Sequence, residues 1–145
     1  MDALTKLEDQ HKIMRNLLRL FTSERGIARG ETASKLVNWF NLHTTLEESW
    51  VFPIMEQYEA LRDEVCDFWD EHIEIKKMLE NLSDMNLDSP EATEEIEKIS
   101  EFLTNHIRHE EDEIFREARK IMASADMKEM EEKLEGALQA RKAAA

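Results

Sequence analysis

The 145-residue chain has little of what interrupts helices or cross-links small secreted domains. It contains one cysteine, two prolines and three glycines. A single cysteine excludes an internal disulfide framework, and we interpret Cys66, one step off the apolar stripe of its helix, as a packing residue. So few prolines and glycines, with 36% charged and 41% hydrophobic residues, favour helix almost throughout. The composition therefore predicts an all-α protein.

Long apolar runs and basic stripes are also missing. The longest apolar run, Trp50 to Met55, has six residues, whereas a membrane-spanning helix needs about 20. The first residues do not have the basic and then apolar layout of a signal peptide, so we expect a cytoplasmic protein with no membrane partner. The formal net charge of −14 disfavours nucleic acid as a partner, because it repels phosphate backbones.

Four segments repeat apolar residues at steps of three and four, which is the period of an amphipathic helix. They span residues 3–22, about 32–52, 59–82 and 90–122. The stretch 23–30, with two glycines, is predicted as a loop. Pro53 is predicted to end or kink the second helix, since its ring clashes with the carbonyl of Ser49. Ser89 and Pro90 are predicted as the N-cap and first residue of the fourth helix.

Short connections make successive helices antiparallel neighbours. The chain is therefore predicted to form a single domain over 1–145, an antiparallel up-down-up-down four-helix bundle over 3–122. The segment 125–140 is expected to form a short extra helix that docks on the outside of the bundle or frays. Its apolar residues are Met127, Met130, Leu134 and Leu138.

Four of the five histidines lie within these apolar stripes, one in each predicted helix. They are His11, His43, His72 and His106. The second and fourth open the pattern His-x-x-x-Glu, which ends in Glu47 and Glu110, and residues four apart share a helix face. Because each histidine lies near the middle of its helix, four imidazoles and two carboxylates are expected to meet at one level of the bundle interior.

Six inward polar groups need compensation. Burying an unpaired carboxylate or a charged imidazole costs several kcal/mol, so six would rival the roughly 5–15 kcal/mol that stabilises a whole domain. Two metal ions bridged by the carboxylates and bound by neutral imidazoles would offset this cost. Imidazole and carboxylate ligands without thiolate favour iron, with manganese or a mixed-metal pair as alternatives.

The order and spacing of these residues resemble those of the hemerythrin-like, or HHE cation-binding, domain. Local segments agree as well: Glu47-Glu48 precedes Val51-Phe52-Pro53, and Glu110-Glu111 precedes Ile114-Phe115. The resemblance covers nearly the whole chain. It implies a non-haem di-iron centre in an antiparallel four-helix bundle, with oxo or hydroxo and carboxylate bridges between the irons.

One position departs from the oxygen-carrying hemerythrins. They have a further histidine four residues after the third one, where this chain has Lys76. The iron bound by His72 and His106 would then lack a third imidazole. That position would be taken by water or by a neighbouring carboxylate such as Glu71, or it would stay open.

Other residues beside the pattern are assigned by their place on the helix. The carriers have their last carboxylate at the position of Glu111, but Glu110 is preferred because a step of four turns only about 40° around a helix and a step of five about 140°. Glu48 and Glu111 are predicted at boundaries between core and water. His109 is predicted at the solvent edge rather than among the ligands, and Trp50 on the inner face of the second helix.

The site is buried and rich in imidazole, and the chain has no motif for an organic substrate. We therefore predict that it binds or reacts with a diatomic gas, either dioxygen or nitric oxide. An electron-transfer partner is a further expectation. The alternatives are a di-iron oxidase, peroxidase or nitric oxide reductase, an iron-sensing or sequestering module, and a purely structural acidic bundle. Ferritin-like storage is disfavoured, because Glu-x-x-His occurs only once among the inward residues, at Glu8 and His11. Oligomeric state and turnover are left open.

Overall fold

The structure, a computed structural model, describes residues 2–144, which are almost entirely helical and contain no strand. The helices are α1 (Ala3–Ser23), α2 (Gly26–Leu46), α3 (Phe52–Met55), α4 (Glu59–Ser83), α5 (Pro90–Arg108), α6 (Arg116–Ile121) and α7 (Ser124–Ala144). Two π-helical segments, π1 (Glu47–Val51) and π2 (His109–Phe115), join α2 to α3 and α5 to α6. The all-α class is confirmed. The predicted domain limits, residues 1 and 145, lie outside the described range.

Four of the five long helices, α1, α2, α4 and α5, pack in a closed ring, and α7 packs on α1 and π1. Helix α1 contacts α2 and α5, and α4 contacts α5 and α2. The buried apolar residues form two clusters. In α1, Leu7 belongs to one cluster and Met14 to the other, and His11 lies between them. The core is therefore divided by a polar layer.

One of the apolar clusters joins the starts of α1 and α4 to the ends of the other two long helices. Leu4 and Leu61 share it with Leu46 and Ile114. This membership is what alternating helix directions require. The up-down-up-down order itself stays a prediction, which the shared cluster supports.

Helix α1 ends at Ser23 and α2 begins at Gly26, so the loop predicted over 23–30 is limited to residues 24 and 25. Gly26 has a positive φ of 62°, which glycine adopts easily, and its amide donates to the Asp88 carboxylate at 2.9 Å. The guanidinium of buried Arg29 lies 4.4 Å from the centre of the Phe21 ring, and its Nε donates to the Phe21 carbonyl at 2.9 Å. Contacts with distant parts of the chain thus stabilise a helical start that the local glycines obscure.

The π1 segment changes which side chains face the core. The amide of Phe52 donates to the carbonyl of Glu47, five residues earlier, and Pro53 has no amide to donate. The wider turn brings Val51 into the core and leaves Trp50 37% exposed. The inward position predicted for Trp50 is therefore wrong, and the interruption predicted at Pro53 takes the form of a π-helical turn.

The remaining helix predictions are largely confirmed. Helix α4 matches the predicted third helix, and α5 begins as expected, with the Ser89 hydroxyl accepting from the Ala92 amide at 3.2 Å. Helix α7 is longer than the short helix predicted over 125–140. It docks against α1 and π1, and its Met130 and Leu134 are fully buried.

Two further observations concern the surface. Cys66 is exposed on α4 rather than packed, because Val65 occupies the inward position. Within residues 2–144, no helix combines the length and the apolar character that crossing a bilayer requires.

Candidate metal centre

The polar layer contains all six residues that the sequence singles out. His11 comes from α1, His43 from α2, Glu47 from π1, His72 from α4, His106 from α5 and Glu110 from π2. Each is 0–3% exposed. The tertiary structure thus brings four histidines and two glutamates together from six elements, and their role as ligands stays a prediction.

His11, His43 and Glu110 form a first group. Nε2 of His11 lies 3.0 Å from Nε2 of His43 and 3.1 Å from Oε1 of Glu110. Oε1 of Glu47 lies 2.9 Å from Nε2 of His43. One donor atom from each of the three residues of this group lies within 4.8 Å of the others, which is compatible with a shared metal ion.

A second group comprises Glu47, His72, His106 and Glu110, again with donor atoms within 4.8 Å of one another. Nε2 of His72 lies 3.3 Å from Oε1 of Glu47, and Nε2 of His106 lies 3.4 Å from Oε2 of Glu110. Glu110 belongs to both groups, since its other oxygen faces His11. Two adjacent groups that share a carboxylate could hold a pair of ions.

The hydrogen bonding at the centre fits bound cations. Within the described residues, both carboxylate oxygens of Glu47 and of Glu110, together with Nε2 of His72 and of His106, are buried without a hydrogen-bond partner. An unsatisfied buried polar group costs about 1–3 kcal/mol, and a charged one more. Because carboxylate oxygens offer only lone pairs, their partner must carry positive charge, as a metal ion or a protonated imidazole does.

On the outer side of the centre, Nδ1 of every imidazole has a partner. The pairs are His11 with Glu111 at 2.5 Å, His43 with Gln10 at 2.8 Å, His72 with Glu48 at 2.8 Å and His106 with Glu71 at 2.7 Å. A carboxylate or amide oxygen only accepts, so each Nδ1 carries a proton, and each imidazole in its neutral form presents the lone pair of Nε2 to the centre. This is how proteins orient imidazoles for metal ions.

Comparison with known families agrees with this geometry. The model of the hemerythrin HHE cation binding domain matches residues 2–118. The chain belongs to this family. The resemblance drawn from the residue pattern is thereby confirmed, and the chain contains a metal-binding domain.

The fold of the chain is similar to that of a solved HHE protein. That protein is a hemerythrin HHE cation binding domain-containing protein from Mycobacterium kansasii, with a TM-score of 0.83 and 17% identity over 99% of this chain and 89% of that one. At this identity the likeness establishes a hemerythrin-like fold and no shared activity. A comparison with curated proteins found no match.

Four residues of this HHE site have a role that the sequence analysis missed. Glu48 and Glu111 were predicted only as boundary residues, Glu71 was a candidate for a vacant metal position, and Gln10 was not singled out. Each lies next to an inward residue in sequence, but its hydrogen bond reaches an imidazole of the neighbouring helix. The sequence did contain one sign of this role, since each of the four residues is adjacent to an inward histidine or glutamate.

His109 and Lys76 lie outside the two groups of possible ligands. Nε2 of His109 is 3.0 Å from a carboxylate oxygen of Glu113, one turn along the chain, which agrees with its predicted place at the solvent edge. Lys76 is exposed and lines a surface groove of about 270 Å³ that also reaches His72 and Glu48.

Without a bound cation, the carboxylates favour protonated imidazoles. Burial by itself would lower the pKa of His11, but the nearby carboxylates of Glu110 and Glu111 outweigh it and raise this pKa to about 9. For His72 and His106 as well, burial would lower the pKa but nearby carboxylates outweigh it. They raise the pKa of His72 to about 9 and that of His106 to about 10. Protons thus take the place that metal ions would occupy, so metal binding and protonation compete.

His43 and Glu47 differ from these three groups. Complete burial lowers the pKa of His43, whose Nδ1 partner is the amide of Gln10. Burial would raise the pKa of Glu47, but the nearby imidazoles of His43 and His72 lower it well below its usual value. The neutral His43 and ionised Glu47 are therefore already in the states that metal ligation requires.

Proposed function

We propose that the chain is a non-haem di-iron protein that binds, or reacts with, a diatomic gas such as dioxygen or nitric oxide. The observation that supports it most directly is the pair of donor groups sharing Glu110. In this proposal His11 and His43 would hold one ion, His72 and His106 would hold the other, and Glu47 and Glu110 would supply carboxylate oxygens to both. The helices are proposed to run alternately up and down around the centre.

The donor set supports iron. All donor atoms of the two groups are imidazole nitrogens or carboxylate oxygens. Such ligands suit iron or manganese, whereas thiolate ligands would favour other metals such as zinc. When bound, two irons would supply electrons to, and an open coordination position for, the gas. Manganese or a mixed pair are alternative outcomes of metal analysis.

The surroundings of the centre support a very small substrate. The Phe52 ring stacks on His72 at 5.4 Å, the Phe68 ring meets His106 edge-on at 5.3 Å, and the Phe115 ring stacks on His11 at 6.2 Å. With these rings packed against them, the imidazoles are only 0–3% exposed, which favours a small ligand over a large organic molecule. A diatomic gas, being small and weakly hydrated, is the ligand class that such a site admits.

Metal content and gas reactivity test the proposal. Protein loaded with Fe²⁺ anaerobically should contain two irons per chain, and its absorption spectrum should change on oxidation and return on reduction. Rapid mixing of the reduced protein with dioxygen or nitric oxide should give a spectral change that free Fe²⁺ in the same buffer does not give. Fewer than two irons per chain, or no spectral response to either gas, would contradict it.

Turnover is the second candidate, and the groove at His72 favours it. This groove reaches the edge of the centre beside Lys76 and Glu48, and water in it could deliver protons. An oxidase, peroxidase or nitric oxide reductase would consume its substrate continuously with an electron donor, whereas a binding protein would stop after one equivalent. Steady-state consumption measured with an artificial electron donor separates the two.

A further inference from the structure

The four outer hydrogen bonds form a closed ring around the bundle. The partner from α1 bonds to the histidine of α2, the partner from π1 to that of α4, the partner from α4 to that of α5, and the partner from π2 to that of α1. Around the ring, each helix, or the π-helical segment that follows it, thus orients the imidazole of the next helix. The order of helices in this ring is the order in which they pack.

One member of the ring lacks charge. Glu48, Glu71 and Glu111 are carboxylates, whereas Gln10 is an amide. Both histidines of the second group therefore have a carboxylate partner, but only one histidine of the first group does. The two groups share the same donor types, although the second has Glu47 as a further carboxylate. They also differ in the charge of the side chains that accept from their imidazoles.

Burial explains the amide at position 10. The side chains of Glu48, Glu71 and Glu111 are 20–31% exposed, so water solvates their charges. Gln10 is only 6% exposed. An ionised side chain there would lose much of its hydration, whereas the amide accepts the Nδ1 proton of His43 without that cost.

We propose that this ring makes the two metal positions unequal, and that Gln10, Glu48 and Glu71 are positioning residues that set the difference. The inference rests on the proposed di-iron function. An imidazole whose N–H donates to a carboxylate is a stronger electron donor to its metal than one that donates to an amide. The position at His72 and His106 therefore binds a divalent ion more tightly and stabilises the more oxidised iron.

Reduction potentials of the iron-loaded protein give the first test. Glu48→Gln and Glu71→Gln keep an oxygen that accepts the Nδ1–H of His72 or His106, but they remove the negative charge of the acceptor. Each substitution should therefore raise the reduction potential of the iron held by His72 and His106. Gln10→Glu should lower the reduction potential of the iron held by His11 and His43. A change of one charge should alter the ratio of oxidised to reduced iron about tenfold, or about 59 mV for a one-electron step.

Glu113→Gln is the matched control. It removes a carboxylate that pairs with a histidine outside the centre, His109, and should leave the potential unchanged. The potentials are compared at two irons per chain for each variant, and thermal unfolding verifies that each variant is folded. Equal shifts for Glu113→Gln and Glu71→Gln, or shifts of the same sign for Glu71→Gln and Gln10→Glu, would overturn the inference.

A zinc titration tests which of the two metal positions binds a divalent ion more tightly, and it needs no iron. In metal-free protein with ¹⁵N-labelled histidine, the Nδ1–H resonances of His72 and His106 can be assigned through Glu48→Gln and Glu71→Gln. The first equivalent of Zn²⁺ should shift these two resonances before that of His43. Simultaneous shifts of all four imidazoles, or an earlier shift of His43, would overturn the inference. Natural protein that binds no iron would contradict the proposed function instead.

Discussion

Glu110 and Glu111 are neighbours in sequence, yet their carboxylates lie in different environments. The oxygens of Glu110 face His11 and His106 inside the core, whereas Glu111 accepts the Nδ1 proton of His11 from the edge of the bundle. Both residues lie in π2, and successive side chains along a helix point in different directions. At the scale of the residue, direction rather than chemical type separates a candidate ligand from the group that orients it.

This difference predicts unequal effects of two isosteric substitutions. Glu110→Gln removes the carboxylate common to both groups, so metal affinity should fall by more than about 100-fold, since loss of an outer partner alone costs 10–100-fold. Glu111→Gln should reduce affinity less and keep two ions per chain. Isothermal titration with Zn²⁺ and Fe²⁺ measures both. Equal affinities for Glu110→Gln and the natural chain would show that the carboxylate is not a shared ligand.

At the scale of the element, contacts between segments determine where a helix begins or docks. Arg29 donates to the carbonyls of Phe21 and Leu87, and so connects the start of α2 to the end of α1 and to the segment before α5. Helix α7 depends on a few apolar contacts, since Met130 and Leu134 are its fully buried residues among those described.

Arg29→Met should destabilise the protein by about 3 kcal/mol, because it leaves buried carbonyl groups without donors. Arg25→Met is the control: Arg25 is exposed and lies in the same stretch, so its loss should change stability by less than about 0.5 kcal/mol. Urea unfolding of both variants measures the difference. Equal midpoints would mean that Arg29 does not stabilise the start of α2.

Leu134→Ala should cost about 2–5 kcal/mol, as for other large-to-small changes in a core. Glu132→Ala, at an exposed position of the same helix, should have little effect. Because α7 packs on α1 and π1, the loss should appear as lower thermal stability of the whole protein. A Leu134→Ala variant as stable as the Glu132→Ala variant would indicate that α7 does not dock in solution.

At the scale of the whole molecule, the polar layer divides the apolar core and makes stability depend on what fills the layer. In the metal-free protein the folded state raises the pKa of His11 and His72 to about 9 and of His106 to about 10. Unfolded histidine titrates near 6.5. The folded state therefore binds more protons than the unfolded state between these values.

It follows that the metal-free protein should lose stability as the pH rises from about 6.5 to about 9–10. The metal-loaded protein should show the opposite sensitivity, because its imidazoles bind metal only when neutral and acid releases the ions. Thermal unfolding with and without Zn²⁺ over this pH range tests both trends. A melting temperature of metal-free protein that rises with pH would contradict the prediction.

Sequence and structure each determined a different part of the site. The positions of His11 and Glu47 could be predicted because helical periodicity is local, and a polar residue within an apolar stripe is visible without any knowledge of its neighbours. The helical class and the starts of α4 and α5 follow from local composition and capping in the same way. The metal-binding chemistry followed from the cost of burying such groups together.

The tertiary structure alone decided which groups surround these six residues. Gln10 and Glu71 lie beside inward histidines in sequence, yet each bonds to the histidine of another helix. Trp50 was predicted inside because an α-helical period was assumed, and the π-helical turn moved it outward. Partners of this kind depend on how each helix is rotated against its neighbour. That rotation is determined by packing between segments distant in sequence, which a local pattern does not contain.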